Sequence, residues 1–422
     1  MSRLKKLIQQ FCPDGVEFKK VKEVYTRLKG TPITAGKMKE ISNPDGDIRV
    51  FAGGKTVIDA YEADIPNANV TRVPSVLVQS RGVIDFVYYD KPFTFKNEMW
   101  AYTADNPVSV KYLYYVLKKN VSVFRGAASG MGSLPQISLS VTEDFKIPVP
   151  PLEVQREIVR ILDNFTELTA ELTAELTARK KQYEFYRDKL LSFDVHGGTS
   201  NVVWRTLGEV ATIVRGASPR PIQSYITDDE DGIPWIKIGD VPVGSKYITE
   251  TAERITEEGA KKSRHINPGD FVLSNSMSFG RPYISKIHGC IHDGWLSISN
   301  FGDSFVPDFL YHLLSSTAIQ NTLAQKASRG TVQNLNADIV KSLELPIPPF
   351  DVQNRVAKVL DNFDAICSDL NIGLPAEIEA RQKQYEYYRD ALLTFAATGP
   401  TISDRQTDRQ TDRQTDRQTD RA

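Results

Sequence analysis

Cysteine is scarce in this chain of 422 residues. The three present, Cys12, Cys290 and Cys367, are odd in number and far apart, so no disulfide framework is expected, and a reducing cytoplasm is the simplest setting. No apolar run approaches the roughly 20 residues that span a bilayer. The start, MSRLKKLIQQF, has basic residues but neither an apolar core of signal-peptide length nor a small-residue cleavage site. An excess of one charge is missing too: 52 Lys and Arg face 53 Asp and Glu, a net of −1, which argues against a protein that coats nucleic acid non-specifically. The balance hides an asymmetry. Residues 1–150 hold 21 basic and 15 acidic side chains, a net of +6, whereas 196–348 come to −2.

Catalytic motifs are also lacking. An adenine methyltransferase needs Asn, Asp or Ser before Pro-Pro-aromatic to hold the target amino group. Here Ile347 precedes Pro348-Pro349-Phe350, and Val149 precedes Pro150-Pro151-Leu152. Both read better as helix starts. Ala52-Gly53-Gly54-Lys55-Thr56 suggests a phosphate loop, but Arg49 stands where the first glycine belongs. His288, Cys290, His292 and Asp293 form the one compact cluster of ligand types, and on a strand 288, 290 and 292 would share a face. No companion motif accompanies it, and core or loop side chains are the expected reading, with no metal assigned. Ser274 and Ser276 have no His/Asp spacing that suggests a triad.

What the chain does contain, it contains twice. PVPPLEVQREIVRILDNF at 148–165 returns as PIPPFDVQNRVAKVLDNF at 346–363, and KQYEFYRDKLLSF at 181–193 returns as KQYEYYRDALLTF at 383–395. A period near 200 residues exceeds the roughly 20–50 of a solenoid and matches a domain plus a helix. Residues 152–193 lack Gly and Pro, and Val154, Ile158, Ile161, Phe165, Leu168 and Leu172 recur in the 4-3-4 spacing of a heptad seam. Val352, Val356, Val359, Phe363, Ile366 and Leu370 repeat it. Second seams follow at Tyr183, Tyr186, Leu190, Phe193 and at Tyr385, Tyr388, Leu392, Phe395, and Asn371 to Pro375 predicts a break in the second helix. The seams most economically bury each other; the alternative is that each packs only on its own domain.

The expected fold class is therefore α+β: two mixed α/β domains separated by two long helices, the helices forming an intramolecular antiparallel coiled coil with pseudo-two-fold symmetry. The boundaries read as 1–150 for the first domain, 151–195 for the central helix, 196–348 for the second domain, 349–397 for the C-terminal helix and 398–422 for a disordered tail. Strands are expected at 73–80, 83–89, 233–239 and 270–276, and helices at 110–119 and 307–323. The domains share their edges (VKEVYTRLKG with LGEVATIVRG, GSLPQISLSVTEDFKIPVPP with GTVQNLNADIVKSLELPIPP), whereas their middles do not align.

Together the PxPPxxVQxxxxxxLDNF start, the KQYExYRDxLL arm and TAELTAEL at 169–176 make the chain resemble the specificity subunit of type I DNA restriction–modification enzymes, in the EcoR124-like (type IC) branch. The likeness covers nearly everything but the tail. It implies a non-catalytic cytoplasmic subunit with two target-recognition domains, each reading half of a bipartite site in double-stranded DNA. The helices would set the gap and dock two methyltransferase (M) subunits. Motor-nuclease (R) subunits would join for restriction, and AdoMet, ATP and Mg²⁺ would belong to those partners. A non-catalytic coiled-coil adaptor and a metal-dependent hydrolase are the alternatives.

Residue type suggests the DNA contacts, since Arg and Lys suit guanine or phosphate and Asn and Gln suit adenine. In the first domain these are Lys37, Lys39, Arg49, Lys55, Arg72, Gln79 and Arg81; in the second, Arg215, Arg220, Lys237, Asn275, Arg281 and Arg329. The tail repeats Thr-Asp-Arg-Gln, which can be written as one tetranucleotide, ACAG, repeated three times. Such a tract is slippage-prone, and phase variation of the C-terminus is the expectation.

Overall fold

The computed structural model describes residues 3–129, 134–193, 202–241, 245–275, 279–327, 335–369 and 372–398. The tail repeat, Arg329, Leu370 and Ser276 lie outside them, as does the side chain of Phe395. Contacts divide the chain into two units, Met1–Ala170 with Ala380–Ala422, and Glu171–Glu379. The central helix, Leu152–Leu190, runs unbroken and contributes to both.

In the first unit a four-stranded antiparallel sheet has the order Thr26–Leu28, Trp100–Thr103, Ser75–Gln79, Asp85–Tyr89. Ser75–Gln79 is the central apolar run of the sequence and is buried along its whole length. Helix Pro107–Lys119 covers one face with Val110, Tyr112, Leu113, Val116 and Leu117, and Asn106 caps its start. A smaller sheet sets Ile48–Phe51 between Val57–Ala60, antiparallel, and Phe93–Phe95, parallel. Strand Phe18–Lys20 pairs with Lys146–Pro148 beside the start of the long helix.

The second unit repeats this frame. The sheet matching the first unit's four-stranded one runs Thr212–Arg215, Trp295–Ser299, Phe271–Ser274, Pro282–Ser285, and adds Tyr247–Ile248. Val203–Thr206 pairs with Glu344–Ile347. The parallel pair survives as Ile233–Ile236 with Gly289–Ile291, but here it sits in a five-stranded sheet in place of a three-stranded one. That enlargement is why the middles of the two domains do not align. The helix expected over 307–323 is two, Pro307–Leu314 and Thr317–Ala327. Ser316 Oγ accepts the Ile319 N–H and Asp188 Oδ1 accepts the Thr317 N–H, so a second helix start is built where apolar spacing alone predicted continuation.

The repeated Pro-Pro-x-x-Val-Gln has a structural reason. Gln155 and Gln353 are buried one turn into their helices, and each side-chain amide donates to the carbonyl five residues earlier, Pro150 and Pro348, at 2.8 and 2.9 Å. Gln353 also donates to the Ser304 carbonyl (2.9 Å) and accepts the Val306 N–H (2.8 Å). Gln155 Oε1 has no hydrogen-bond partner among the described residues.

The second seam needs correction. Val359 and Ile366 are exposed, and the buried stripe of helix Phe350–Ser368 is Gln353, Ala357, Leu360 and Cys367, one residue later. Two adjacent stripes satisfy the same 4-3 spacing, and the wrong one held the more apolar residues. In the first helix Val154 and Ile158 lie in the core of their own domain, Ile161 packs against that core, and Leu168 and Leu172 are half-buried. Both packing modes are present, because Tyr385, Leu392 and Leu393 of helix Leu374–Thr398 join the same cluster.

Each Leu-Asp-Asn-Phe segment is the centre of a clasp. In the first unit Asp163 accepts from Tyr115 Oη (2.5 Å) and pairs with Lys111 Nζ (2.9 Å), both on helix Pro107–Lys119, while Phe165 stacks on Tyr388 with centroids 5.3 Å apart. In the second, Asp361 meets His312 Nε2 (2.8 Å) on helix Pro307–Leu314 and Lys246 Nζ (2.7 Å), while Phe363 stacks on Tyr186 at 5.6 Å. Tyr183 Oη closes the second clasp on His312 Nδ1 (2.9 Å). Burial opposes the Lys246 charge, but the carboxylates of Asp308 and Asp361 outweigh it and hold the ammonium above its ordinary range. Burial likewise disfavours the Asp361 carboxylate, yet His312 and Lys246 keep it below the usual value.

Two outcomes are expected. Gln353→Ala removes three hydrogen bonds and strands the Val306 N–H, lowering unfolding stability in urea by about 3 kcal/mol against about 1 for Gln155→Ala. A depressed native pKa makes the Asp361 contribution fully present above the unfolded carboxylate value of about 3.9, and lost as pH falls through the lower native value. Asp361→Asn is therefore expected to cost about 1–2 kcal/mol at neutral pH, discounted because the carboxylate is partly exposed. The gap from the parent chain should close on acidification, read by thermal melts across pH.

Candidate nucleic-acid interface

Four segments of the first unit converge on a cleft of about 520 Å³. Helix Ala35–Ile41, whose start is fixed by Thr34 Oγ1 accepting the Lys37 N–H, contributes Met38 and Lys39. The turn after Ile48–Phe51 contributes Gly53, Gly54 and Thr56, and the hairpin after Ser75–Gln79 contributes Arg81 and Gly82. Lys96 and Glu98 pair at 3.1 Å on the remaining side, and Leu134 stands exposed at its edge. Gly54 (φ 69°), Lys55 (φ 76°) and Gly82 (φ 78°) all occupy left-handed backbone. The two glycine loops meet: a side chain at Gly82 would lie 3.4 Å from the Gly54 Cα, and the Gly54 N–H donates to the Arg81 carbonyl at 3.2 Å. Lys55 pays the steric penalty of that conformation without being glycine.

The first-domain candidates divide sharply. Lys37 pairs with Glu40 at 2.8 Å, and Arg72 pairs with Glu62. Arg49 forms a two-pronged bond to Asp59 (2.9 and 3.0 Å) and lies over the Tyr89 ring, and hydrogen bonding to Arg49 is what lowers the Asp59 pKa. Gln79 is buried in its strand. Lys39, Lys55 and Arg81 are exposed, and among the described residues their side chains make no ion pair or hydrogen bond. Lys39 and Arg81 line the cleft, and Lys55 lies between lining residues Gly54 and Thr56.

In the second unit, three candidates gather on one residue that the sequence reading passed over as part of a ligand cluster. The Asp293 carbonyl accepts from Arg215 Nε (3.0 Å) and from Asn275 Nδ2 (2.9 Å), and Arg220 lies 3.8 Å from its carboxylate. A hydrogen bond from Ser218 Oγ holds that carboxyl below its ordinary range. Asn275 is buried. Lys237 is tied to Glu253, and Arg281 stays exposed on the hairpin before Pro282–Ser285. The hairpins of both units are latched alike, with the Ser80 carbonyl accepting the Ile137 N–H (2.9 Å) and the Asn275 carbonyl the Leu335 N–H (3.1 Å). Only the spacing of Ile137 and Leu335 in the shared GSLPQI and GTVQNL edges hinted at this.

His288, Cys290 and His292 each meet separate partners. His288 Nδ1 lies 3.2 Å from Asn267 Oδ1, Cys290 is buried 3.6 Å from His265 Nδ1, and His292 is bracketed by the N–H groups of Ile238 and Gly294. Among the described residues no group of three or more His, Cys, Asp or Glu is arranged to hold a metal, and no helix is long and apolar enough to cross a membrane.

The family model "Type I restriction modification DNA specificity domain" matches residues 13–179 and again 199–380. The chain is 33% identical over 365 residues to the EcoR124I/EcoR124II specificity subunit of Escherichia coli, covering 82% of this chain and 87% of that protein. It is 32% identical over 318 residues to a putative type I restriction enzyme specificity subunit of Haemophilus influenzae, covering 72% and 77%. In fold it is similar to the crystal structure of a type I restriction–modification S subunit from M. genitalium (TM-score 0.55, 17% identity, 91% of this chain and 96% of that one). A structure titled for complex assembly of a type I R-M system gives a TM-score of 0.58 at 17% identity, covering 90% and 98%.

Separating structural from free cations yields a test. Arg49→Ala should lower stability by about 1 kcal/mol, whereas Lys39→Ala should stay within about 0.5 kcal/mol of the parent in the same urea titration.

Proposed function

The chain belongs to the type I restriction–modification DNA specificity subunits, and from that membership we propose that it is the recognition subunit of such a complex, each domain reading one half of a bipartite duplex site. The observation that carries this is duplication at two levels: the family model matches twice, and the two domains repeat one sheet order while differing in the outer sheet. A frame used twice with different elaborations suits two readers of different half-sites. The exposed cations Lys39, Lys55, Arg81 and Arg281 supply the phosphate-binding chemistry such readers need. Arg215 and Asn275 on the Asp293 carbonyl, with Arg220 near its carboxylate, offer a pre-ordered arrangement in the second domain.

Chemistry on the DNA belongs to partners in this reading. Two methyltransferase subunits dock on the long helices and hold AdoMet, and motor-nuclease subunits with ATP and Mg²⁺ join for restriction. The TAEL-bearing helix sets the gap between half-sites. Its threonines return their hydroxyls to the backbone one turn earlier (Thr166 to Leu162, Thr169 to Phe165, Thr177 to Thr173).

The test is a map of methylated adenines in cells carrying this chain with its partner subunits. A split motif is expected, with marks on opposite strands about one duplex turn apart. Exchange of residues 196–348 for those of a relative should change one half of the motif only. A continuous motif, or one indifferent to deletion of this chain, defeats the proposal.

A further inference from the structure

We propose that the cleft walled by Met38, Ile58 and Leu134 and rimmed by Lys39, Lys55 and Arg81 seats the sugar–phosphate backbone of one DNA strand, and that it grips without reading bases. The inference rests on the recognition-subunit reading and goes beyond it to a site and a division of labour. Its basis is a sorting of cations. Of the six basic candidates in the first domain, Lys37, Arg49 and Arg72 are each paired with a carboxylate; of the other three, Lys39 and Arg81 line this cleft and Lys55 sits on the loop between its lining residues Gly54 and Thr56.

The shape of the cleft agrees. Its lining includes Gly53, Gly54 and Gly82, glycines whose loops touch backbone to backbone, so a ligand chain can approach the main chain closely. Its walls include apolar Met38, Ala52 and Ile58, which suit deoxyribose better than a free inorganic anion. Lys55 is held in left-handed backbone, a cost that persists where a neighbouring structure or a function requires the residue. The surrounding domain carries the +6 excess, against −2 for residues 196–348. Phosphate contacts position a protein and carry no sequence information. The first domain therefore supplies most of the salt-sensitive grip.

The experiment uses the full chain assembled with its methyltransferase subunits. Binding is followed by fluorescence anisotropy on a duplex carrying the mapped bipartite site and on an equal-length duplex without it, over a four-fold range of salt. Losing three phosphate contacts reduces the log–log salt slope by about 2.7, so the Lys39→Gln, Lys55→Gly, Arg81→Gln triple variant should lose about forty-fold less affinity than the parent across that range. The fold-loss at low salt should be equal on both duplexes. Lys37→Gln with Arg72→Gln, the ion-paired control, should leave the slope unchanged. Lys55→Gly alone should raise the melting temperature while weakening binding, which keeps the test sound if the triple variant folds poorly. An unchanged slope in the triple variant, or a loss confined to the specific duplex, overturns the proposal while leaving the recognition reading intact. A parent complex that does not distinguish the two duplexes overturns that reading itself.

Discussion

Everything else in either unit depends on one carboxylate. Asp163 and Asp361 stand at the same place in the two Leu-Asp-Asn-Phe segments, and each ties its long helix to a helix of a globular domain. A carboxylate partly withdrawn from water needs a donor and a cation, and each unit supplies both, from different residues. The first uses Tyr115 and Lys111, a turn apart on one helix. The second uses His312, and the position matching Lys111 is Asp308, so the cation must come from elsewhere: Lys246 bridges Asp308 and Asp361. One geometric requirement, met by two chemistries, marks the clasp as the constraint and its residues as replaceable.

Given a domain fixed at its base, its outer part is free to vary. The frame comprises the strand pair beside the helix start, the four-strand order and the buried glutamine bracket, and all three are duplicated. Differences accumulate in the outer sheet, which grows from three strands to five around a retained parallel pair. Strands added at a sheet edge leave the core pairing intact, which is the physical reason variation concentrates there. The same division appears in the charges. Near the frame they are paired internally, as in Lys20 and Lys22 with Asp144, whereas Lys39, Lys55 and Arg81, from a helix and two loops, stand unpaired beside one cleft.

Much of this was legible because it rests on patterns of buried residues. Ser75–Gln79 reads as a strand from its apolar run and is buried throughout. The break around Asn371 to Pro375 separates Phe350–Ser368 from Leu374–Thr398 as expected. Periodicity failed where two stripes compete: Val356, Val359 and Ile366 outweigh Ala357, Leu360 and Cys367 in apolar character, yet the latter face inward because Gln353 is bracketed by Pro348, Ser304 and Val306. A polar residue fixed that helix's rotation, and hydrophobic spacing cannot see polar anchors. Residue type nominated Arg49 and Asn275 as DNA contacts with no view of Asp59 or Asp293, each distant enough in sequence that the pairing exists only in the fold. The three cleft cations were nominated for the same reason as the rest, and only their lack of partners sets them apart.

A net charge of −1 is unusual for a protein that binds a polyanion, and the internal pairing accounts for it. A specific binder competes against a vast excess of other sequence, so its useful quantity is the ratio of specific to non-specific affinity. Every unpaired cation raises both affinities together, because phosphate is the same everywhere. Tying Lys37, Arg49, Arg72 and Lys237 to carboxylates withholds them from that general attraction while keeping them for packing and for shaping the loops. Leaving Lys39, Lys55 and Arg81 unpaired beside one cleft of the first domain gives attraction that holds a duplex in register and leaves discrimination to the remaining surface. On this argument the near-neutral balance of the chain follows from selecting one site among many.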